Sequence, residues 1–153
     1  MNTQQSDNLY LEIGAKPDQV AVARSQVADY SRRQSWDEDD VDALTLAVGE
    51  ACSNAVNYGG KGYDAAVVSV ACTKVSPNRL QIDIKNQGNG FHPDLAKLTE
   101  MPDAEDFATR GRGFALMQAL VDDVQVLSDG FNTIVRLTKS KSPESAHSSV
   151  SGV

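Results

Sequence analysis

Leu9, Leu11 and Ile13 alternate with Tyr10 and Glu12, the period of two of a half-buried strand, so the ordered chain is expected to open on a strand. Pro17 and Asp18 then start a helix through about Gln34, on which Val20, Ala23, Val27 and Tyr30 recur at helical spacing. Trp36 follows in the connection and is expected to pack over the core. A second helix starts among the acidic residues Asp37 to Asp40, read as a solvated cap at the positive end of the helix dipole, and runs to Tyr58, where Gly59-Gly60 stops it. Its apolar stripe is Leu44, Val48, Ala51 and Ala55.

Beyond that helix the period changes. Ala66, Val67, Val68, Val70 and Ala71 predict a buried strand within 64–75, Ser76-Pro77-Asn78 a turn, and Leu80 to Lys85 the next strand. The glycine-bearing loop Asn86-Gln87-Gly88-Asn89-Gly90-Phe91 follows, then an acidic segment from His92 to Arg110 that reads as a mobile lid with a short helix around Asp94 to Leu98. Gly111-Arg112-Gly113 introduces a last helix carrying Phe114, Met117, Leu120 and Val121. Val124 to Ser128 and Thr133 to Thr138 close the pattern as a hairpin turned by Asp129-Gly130. One domain over residues 9–139 is expected, with a flexible start at 1–8 and a Ser-rich, disordered tail at 140–153.

Composition narrows the partners. With 153 residues, 41% of them apolar, the chain can close one core of two layers. Its formal charge of -7, from 21 acidic and 14 basic residues that are not gathered into a patch, argues against nucleic acid. No apolar run approaches the roughly 20 residues that span a bilayer, and the first residues lack the basic start and apolar stretch of a secretory signal, so a cytoplasmic protein is expected. Cys52 and Cys72 have no metal-ligand spacing and read as small buried apolar residues. His92 and His147 are too few for a zinc site or a Ser-His-Asp array. His92 reads as an ordinary loop histidine.

What remains is a polar row inside an otherwise buried helix. Glu50, Asn54 and Asn57 lie four and three residues apart and so share a face away from the apolar stripe. A carboxylate and a carboxamide one turn apart suit proton transfer and a hard, oxygen-preferring cation such as Mg²⁺. Gly111 and Gly113 at a helix start let unpaired N–H groups approach phosphate, with Arg110 and Arg112 adding positive charge for phosphates or an acidic partner. Each feature alone is also met on an ordinary exposed helix face or in a loop that needs unusual dihedrals.

In order along one chain, Glu50-x-x-x-Asn54, Asn86-x-Gly88-x-Gly90 and Gly111-x-Gly113-x-x-Leu116 resemble the N, G1 and G2 boxes of the GHKL (Bergerat-fold) ATPases. The stretches LTLAVGEACSNAVNYGG and GRGFALMQALVDDV look most like the anti-sigma-factor serine/threonine kinases within that superfamily. The resemblance implies a two-layer α/β (α+β) sandwich, a mainly antiparallel mixed sheet covered on one face by helices. It also implies ATP and Mg²⁺ as cofactors, Glu50 as general base, Asn54 as magnesium ligand, and nucleotide contacts from Asn54, Asn57, Asn86, Gly88, Gly90, Arg110, Gly111, Arg112 and Gly113. The implied function is that of an anti-sigma factor, a homodimer that binds a sigma factor and phosphorylates a STAS-type anti-sigma-factor antagonist. One position departs from the pattern: Asn86 stands where the family carries Asp. A neutral acceptor holds an adenine amino group less strongly than a carboxylate, about 0.5 to 1.5 against about 1.5 to 3 kcal/mol, and a carboxamide can turn to offer its NH₂ instead. Asp83 lies at the opposite strand parity and cannot replace it. The alternative is a sequestering module of the same fold that transfers phosphate poorly or not at all. A detached histidine-kinase catalytic domain is disfavoured because the chain has no phosphoacceptor helix.

Overall fold

The computed structural model describes residues 7–59, 67–87, 99–100, 113–128 and 133–143. Strand β1 (Asn8–Gly14) leads through a 3-10 turn at Pro17–Gln19 into α1 (Val20–Arg33), and α2 (Glu38–Gly59) follows. Then come β2 (Val67–Ser76), β3 (Arg79–Gln87), the two-residue β4 (Thr99–Glu100), α3 (Gly113–Leu120), β5 (Asp123–Ser128) and β6 (Thr133–Ser140). The six strands form one sheet in the order β1-β2-β3-β6-β5-β4. Every described pair is antiparallel, with no parallel pair of a mixed sheet among them.

Register explains the core. Two rows cross the sheet on its inner face, Leu9-Cys72-Ile82-Leu137-Val124 and Leu11-Val70-Ile84-Val135-Val126, and both are apolar from end to end. They meet the stripe Val41, Leu44, Ala47, Val48, Ala51 and Cys52 of α2, which packs on β3, and Val20, Ala23, Val27 and Tyr30 of α1, all buried. The sequence pattern placed Leu44, Val48 and Ala51 of α2 and the α1 stripe correctly, because burial on one face forces the period on both kinds of element, while Ala55 is half-buried at the margin of the core. Trp36 is buried in the connection, as expected. Ser35 before it takes a left-handed φ of 66°, and the Trp36 N–H donates to the Ser31 carbonyl at 3.1 Å, so the end of α1 is turned back over its own last carbonyls. Cys52 and Cys72 are free and buried, and burial pushes both thiols up to about 12.

One expectation fails. The acidic run before α2 is a solvated cap only in part: Glu38 is exposed and pairs with Arg32 at 2.8 Å, but Asp40 is 4% exposed. Asp40 turns inward to accept the Ser142 N–H at 2.9 Å, with Lys139 Nζ 3.6 Å away, because the chain leaving β6 crosses beneath the start of α2. A carboxylate can be buried there because it is both hydrogen-bonded and charge-paired. This contact also fixes the direction of α2. Its N-terminus lies at the end of the sheet where β6 finishes and β3 begins, since Ser140 pairs with Arg79.

Of the lid expected at 92–110 only Thr99–Glu100 is described, as β4 against β5, and of the tail expected at 140–153 only 140–143, with Ser140 in β6; the short helix around 94–98, the Asp129-Gly130 turn, His92 and His147 lie outside the described residues.

Candidate functional site

The third inner row of the sheet is unlike the other two. It runs Ile13-Val68-Asn86-Thr133-Ser128 and on to Thr99 of β4, so it turns from apolar to polar at Asn86. Asn86 continues the alternation Leu80, Ile82, Ile84 and therefore faces the helices. Its Oδ1 is buried and has no hydrogen-bond partner among the described residues. An unsatisfied buried acceptor costs about 1 to 3 kcal/mol, so such atoms are rare unless something else supplies a donor. An exocyclic amino group is such a donor, and the site fits a nucleotide base in this respect.

Asp83, three residues earlier, shows the opposite arrangement. It points to the open face of the sheet and accepts both Arg136 Nε at 2.9 Å and Arg136 Nη2 at 3.0 Å across the β3-β6 pair. The hydrogen bonds to Asp83 hold the Arg136 guanidinium above its ordinary range. The parity argument that excluded Asp83 from the inner face is thus borne out.

The helices bring the polar row of α2 to the same end. From Asp40, anchored where β3 starts, to Asn54 is a rise of about 21 Å at 1.5 Å per residue. From Arg79 to Asn86 along β3 is about 23 Å at 3.3 Å per residue. Asn54 therefore stands level with the polar end of the third row, and Glu50 one turn before it. Both are half-buried. Asn57 is in the last turn of α2, its side chain outside the described residues. Gly113 opens α3, which is joined to β5 by only Val121 and Asp122 and packs on that strand. So short a joint makes α3 run against β5, and β5 ends at Ser128 beside Thr133. The N-terminus of α3 is thereby directed to the Asn86 end. Gly88, Gly90, Arg110, Gly111 and Arg112 lie outside the described residues.

Sequence reasoning missed Thr133 and Ser128. The signal was present, since hydroxyl residues end the alternations Val124-Val126-Ser128 and Thr133-Val135-Leu137, but only the register shows that both fall in line with Asn86. A groove lined by Arg24, Ser25, Ala28, Asp42, Thr45 and Leu46 lies between α1 and α2. Among the described residues, no group of three or more His, Cys, Asp or Glu is placed to hold a metal. A magnesium ion on this chain would depend instead on the Asn54 carboxamide oxygen and on phosphate, a donor set that suits a cation which keeps most of its waters. No described helix is long and apolar enough to cross a membrane.

A helix-backed antiparallel sheet with a polar row at one end, holding an acceptor without a partner among the described residues, suits a nucleotide-binding domain. The model of the histidine kinase-like ATPase domain family matches residues 13–139. The serine-protein kinase RsbW of Bacillus pumilus is 31% identical over 134 residues, covering 84% of this chain and 83% of that protein. The protein of the same name from Bacillus subtilis is 28% identical, covering 79% and 78%. Among solved structures, the RsbU and RsbW domains of a Mycobacterium tuberculosis protein superpose with a TM-score of 0.66 at 17% identity, over 89% of this chain and a third (33%) of that one. A histidine kinase domain from a blue-light-activated kinase of Erythrobacter litoralis gives 0.56 at 16% identity, over 87% and 64%. The chain belongs to the histidine kinase-like ATPase family and, within it, to the RsbW-type serine-protein kinases. It is a kinase, and ATP is the nucleotide of its domain type. The resemblance carried by the three boxes and the two-layer fold are borne out together.

Proposed function

We propose that the protein is an anti-sigma factor that also phosphorylates a serine or threonine of a STAS-type anti-sigma-factor antagonist, a cytoplasmic homodimer whose nucleotide state selects its partner. The observation that supports this most is the 31% identity to a serine-protein kinase across 83% of that protein's length. The buried Oδ1 of Asn86, without a partner among the described residues, supports the nucleotide half of the reading independently.

Bound ATP, with Mg²⁺, would supply the transferable phosphoryl group. The protein's own part is positional and electrostatic. Asn54 offers the oxygen ligand for the cation, and Glu50, one turn earlier, takes the proton from the attacking hydroxyl. Asn57 extends the same polar row. Gly111 and Gly113 let the first N–H groups of α3 reach phosphate, while Arg110 and Arg112 balance its charge. Gly88 and Gly90 let the backbone after Asn86 come close to the base.

The second reading, a sequestering module with little or no phosphoryl transfer, is favoured by Asn86 alone, since a neutral acceptor holds the base less strongly. The test is incubation of the full chain with γ-labelled ATP, Mg²⁺ and a purified antagonist, beside a Glu50→Ala variant. The kinase reading expects acid-stable phosphoserine or phosphothreonine on the antagonist, reduced by about 10² to 10⁴ in Glu50→Ala while ATP still binds. A folded protein that captures a sigma factor, binds ATP and leaves the antagonist unlabelled would instead be the sequestering module.

A further inference from the structure

The third inner row of the sheet holds no charged side chain: its members are Ile13, Val68, Asn86, Thr133 and Ser128. Asp83 and Lys85 belong to the other parity of β3, and Asp83 is committed to Arg136 on the open face. Asn86 is thus the group that sets donor and acceptor polarity on this row. Its backbone is held on both sides by Val68 and Thr133, so the carboxamide has only its own torsion to adjust. Because Oδ1 has no partner among the described residues, a half-turn that exchanges the oxygen and the NH₂ breaks no bond made by that oxygen.

We infer that Asn86 reads the 6-position of a purine in either carboxamide orientation, so that the site accepts 6-oxo purine nucleotides beside 6-amino ones. This rests on the nucleotide-binding reading above. The 6-amino group of adenine is a donor and meets Oδ1, whereas the 6-oxo group of guanine or hypoxanthine is an acceptor and meets the NH₂ after the turn. The hydroxyl of Thr133, paired with Asn86 across β3 and β6, can donate and accept, so it follows either orientation instead of selecting one. A carboxylate at position 86 would accept only. It would take the amino group and repel the oxo group.

Three nucleotides isolate this effect: the 5′-triphosphates of adenosine, of inosine, and of purine riboside, which has hydrogen at the 6-position. Calorimetric titration of the full chain in Mg²⁺ should give ATP and inosine triphosphate within about tenfold of each other, both tighter than the 6-unsubstituted nucleotide. Asn86→Asp should weaken inosine triphosphate relative to ATP by about tenfold or more and place it below purine riboside triphosphate. Asn86→Leu should bring the three together, and thermal unfolding of each variant checks its fold. If either variant fails to fold, the wild-type rank order decides alone. Wild type that binds ATP but holds inosine triphosphate more weakly than the 6-unsubstituted nucleotide overturns the inference and leaves the nucleotide site standing. Folded wild type that binds none of the three overturns both.

Discussion

The two ends of the sheet are built on opposite terms. At the end where β3 starts and β6 finishes, polar groups are matched: Asp40 takes the Ser142 N–H, Asp122 takes the Ser140 N–H at 2.7 Å, the Lys141 N–H reaches the Asn78 carbonyl at 2.8 Å, and the Lys141 ammonium lies 5.8 Å from the centre of the Trp36 ring. At the other end the third row turns polar, and the Asn86 acceptor is buried without a partner among the described residues. A fold spends unpaired polar atoms where a ligand completes them and matches them where only the chain itself is present. Stability should therefore depend on the first end and nucleotide on the second.

The largest expected effect breaks that division if it is wrong. Asp40→Ala removes the acceptor for Ser142 and leaves Lys139, whose side chain is only 13% exposed, without its counter-charge. Loss of one member of so buried a pair should cost about 3 kcal/mol in urea unfolding. ATP affinity per folded molecule should not change. Glu50→Ala should show the reverse, with unfolding within about 0.5 kcal/mol of wild type and phosphoryl transfer lost. A change in nucleotide affinity in folded Asp40→Ala would mean that α2 transmits strain between the ends, and the two could not be treated as separate.

The core between them is tested by alkali. Burial and neighbouring charge push the Tyr30 hydroxyl up to about 12, and burial does the same to the thiols of Cys52 and Cys72. Each group holds its proton more tightly folded than unfolded, so its contribution is complete below its unfolded value, about 9 for the thiols and about 10 for the phenol, and is lost as pH rises toward 12. Urea unfolding should show stability falling above pH 9, by about 1.4 kcal/mol per pH unit for each group that is titrating in the unfolded chain. Cys72→Val should flatten the fall by one such increment. The carboxamide of Asn86 does not titrate, and neither adenine nor an unsubstituted purine loses a proton in this range, so the affinity of ATP relative to the 6-unsubstituted nucleotide should hold until the protein unfolds. A flat stability profile to pH 11 would show that these groups are not sealed in the core.

How far the sequence could be read follows the same geography. The inner stripes were legible because burial on one face imposes a period, and Val20, Ala23, Val27, Tyr30, Leu44, Val48 and Ala51 all fall where that period puts them. Glu50 and Asn54 were legible as a polar row on a different face of the helix from its apolar stripe. Asp40 was not, because an acidic residue at a helix start has the same local signature whether it faces water or a chain segment 102 residues later. Thr133 and Ser128 were missed for a related reason: a hydroxyl at a strand end is unremarkable until register sets it beside Asn86.

The smallest expected effect sharpens the contrast within β3 itself. Asp83 and Asn86 lie three residues apart, on opposite faces, one paired with Arg136 and the other with an Oδ1 that has no partner among the described residues. The Asp83-Arg136 pair is bidentate, but its side chains are 22% and 31% exposed, so solvent screens it. Asp83→Ala should cost about 1 kcal/mol, and the loss should shrink in 1 M salt. Asp83→Asn keeps the shape and surrenders the charge, and should cost about half as much. Neither should alter the order in which adenine and 6-oxo purine nucleotides bind, because the open face has no path to the base except through the backbone of β3. If Asp83→Asn does shift that order, strand parity does not insulate the two faces, and the Arg136 pair must be counted among the groups that position Asn86.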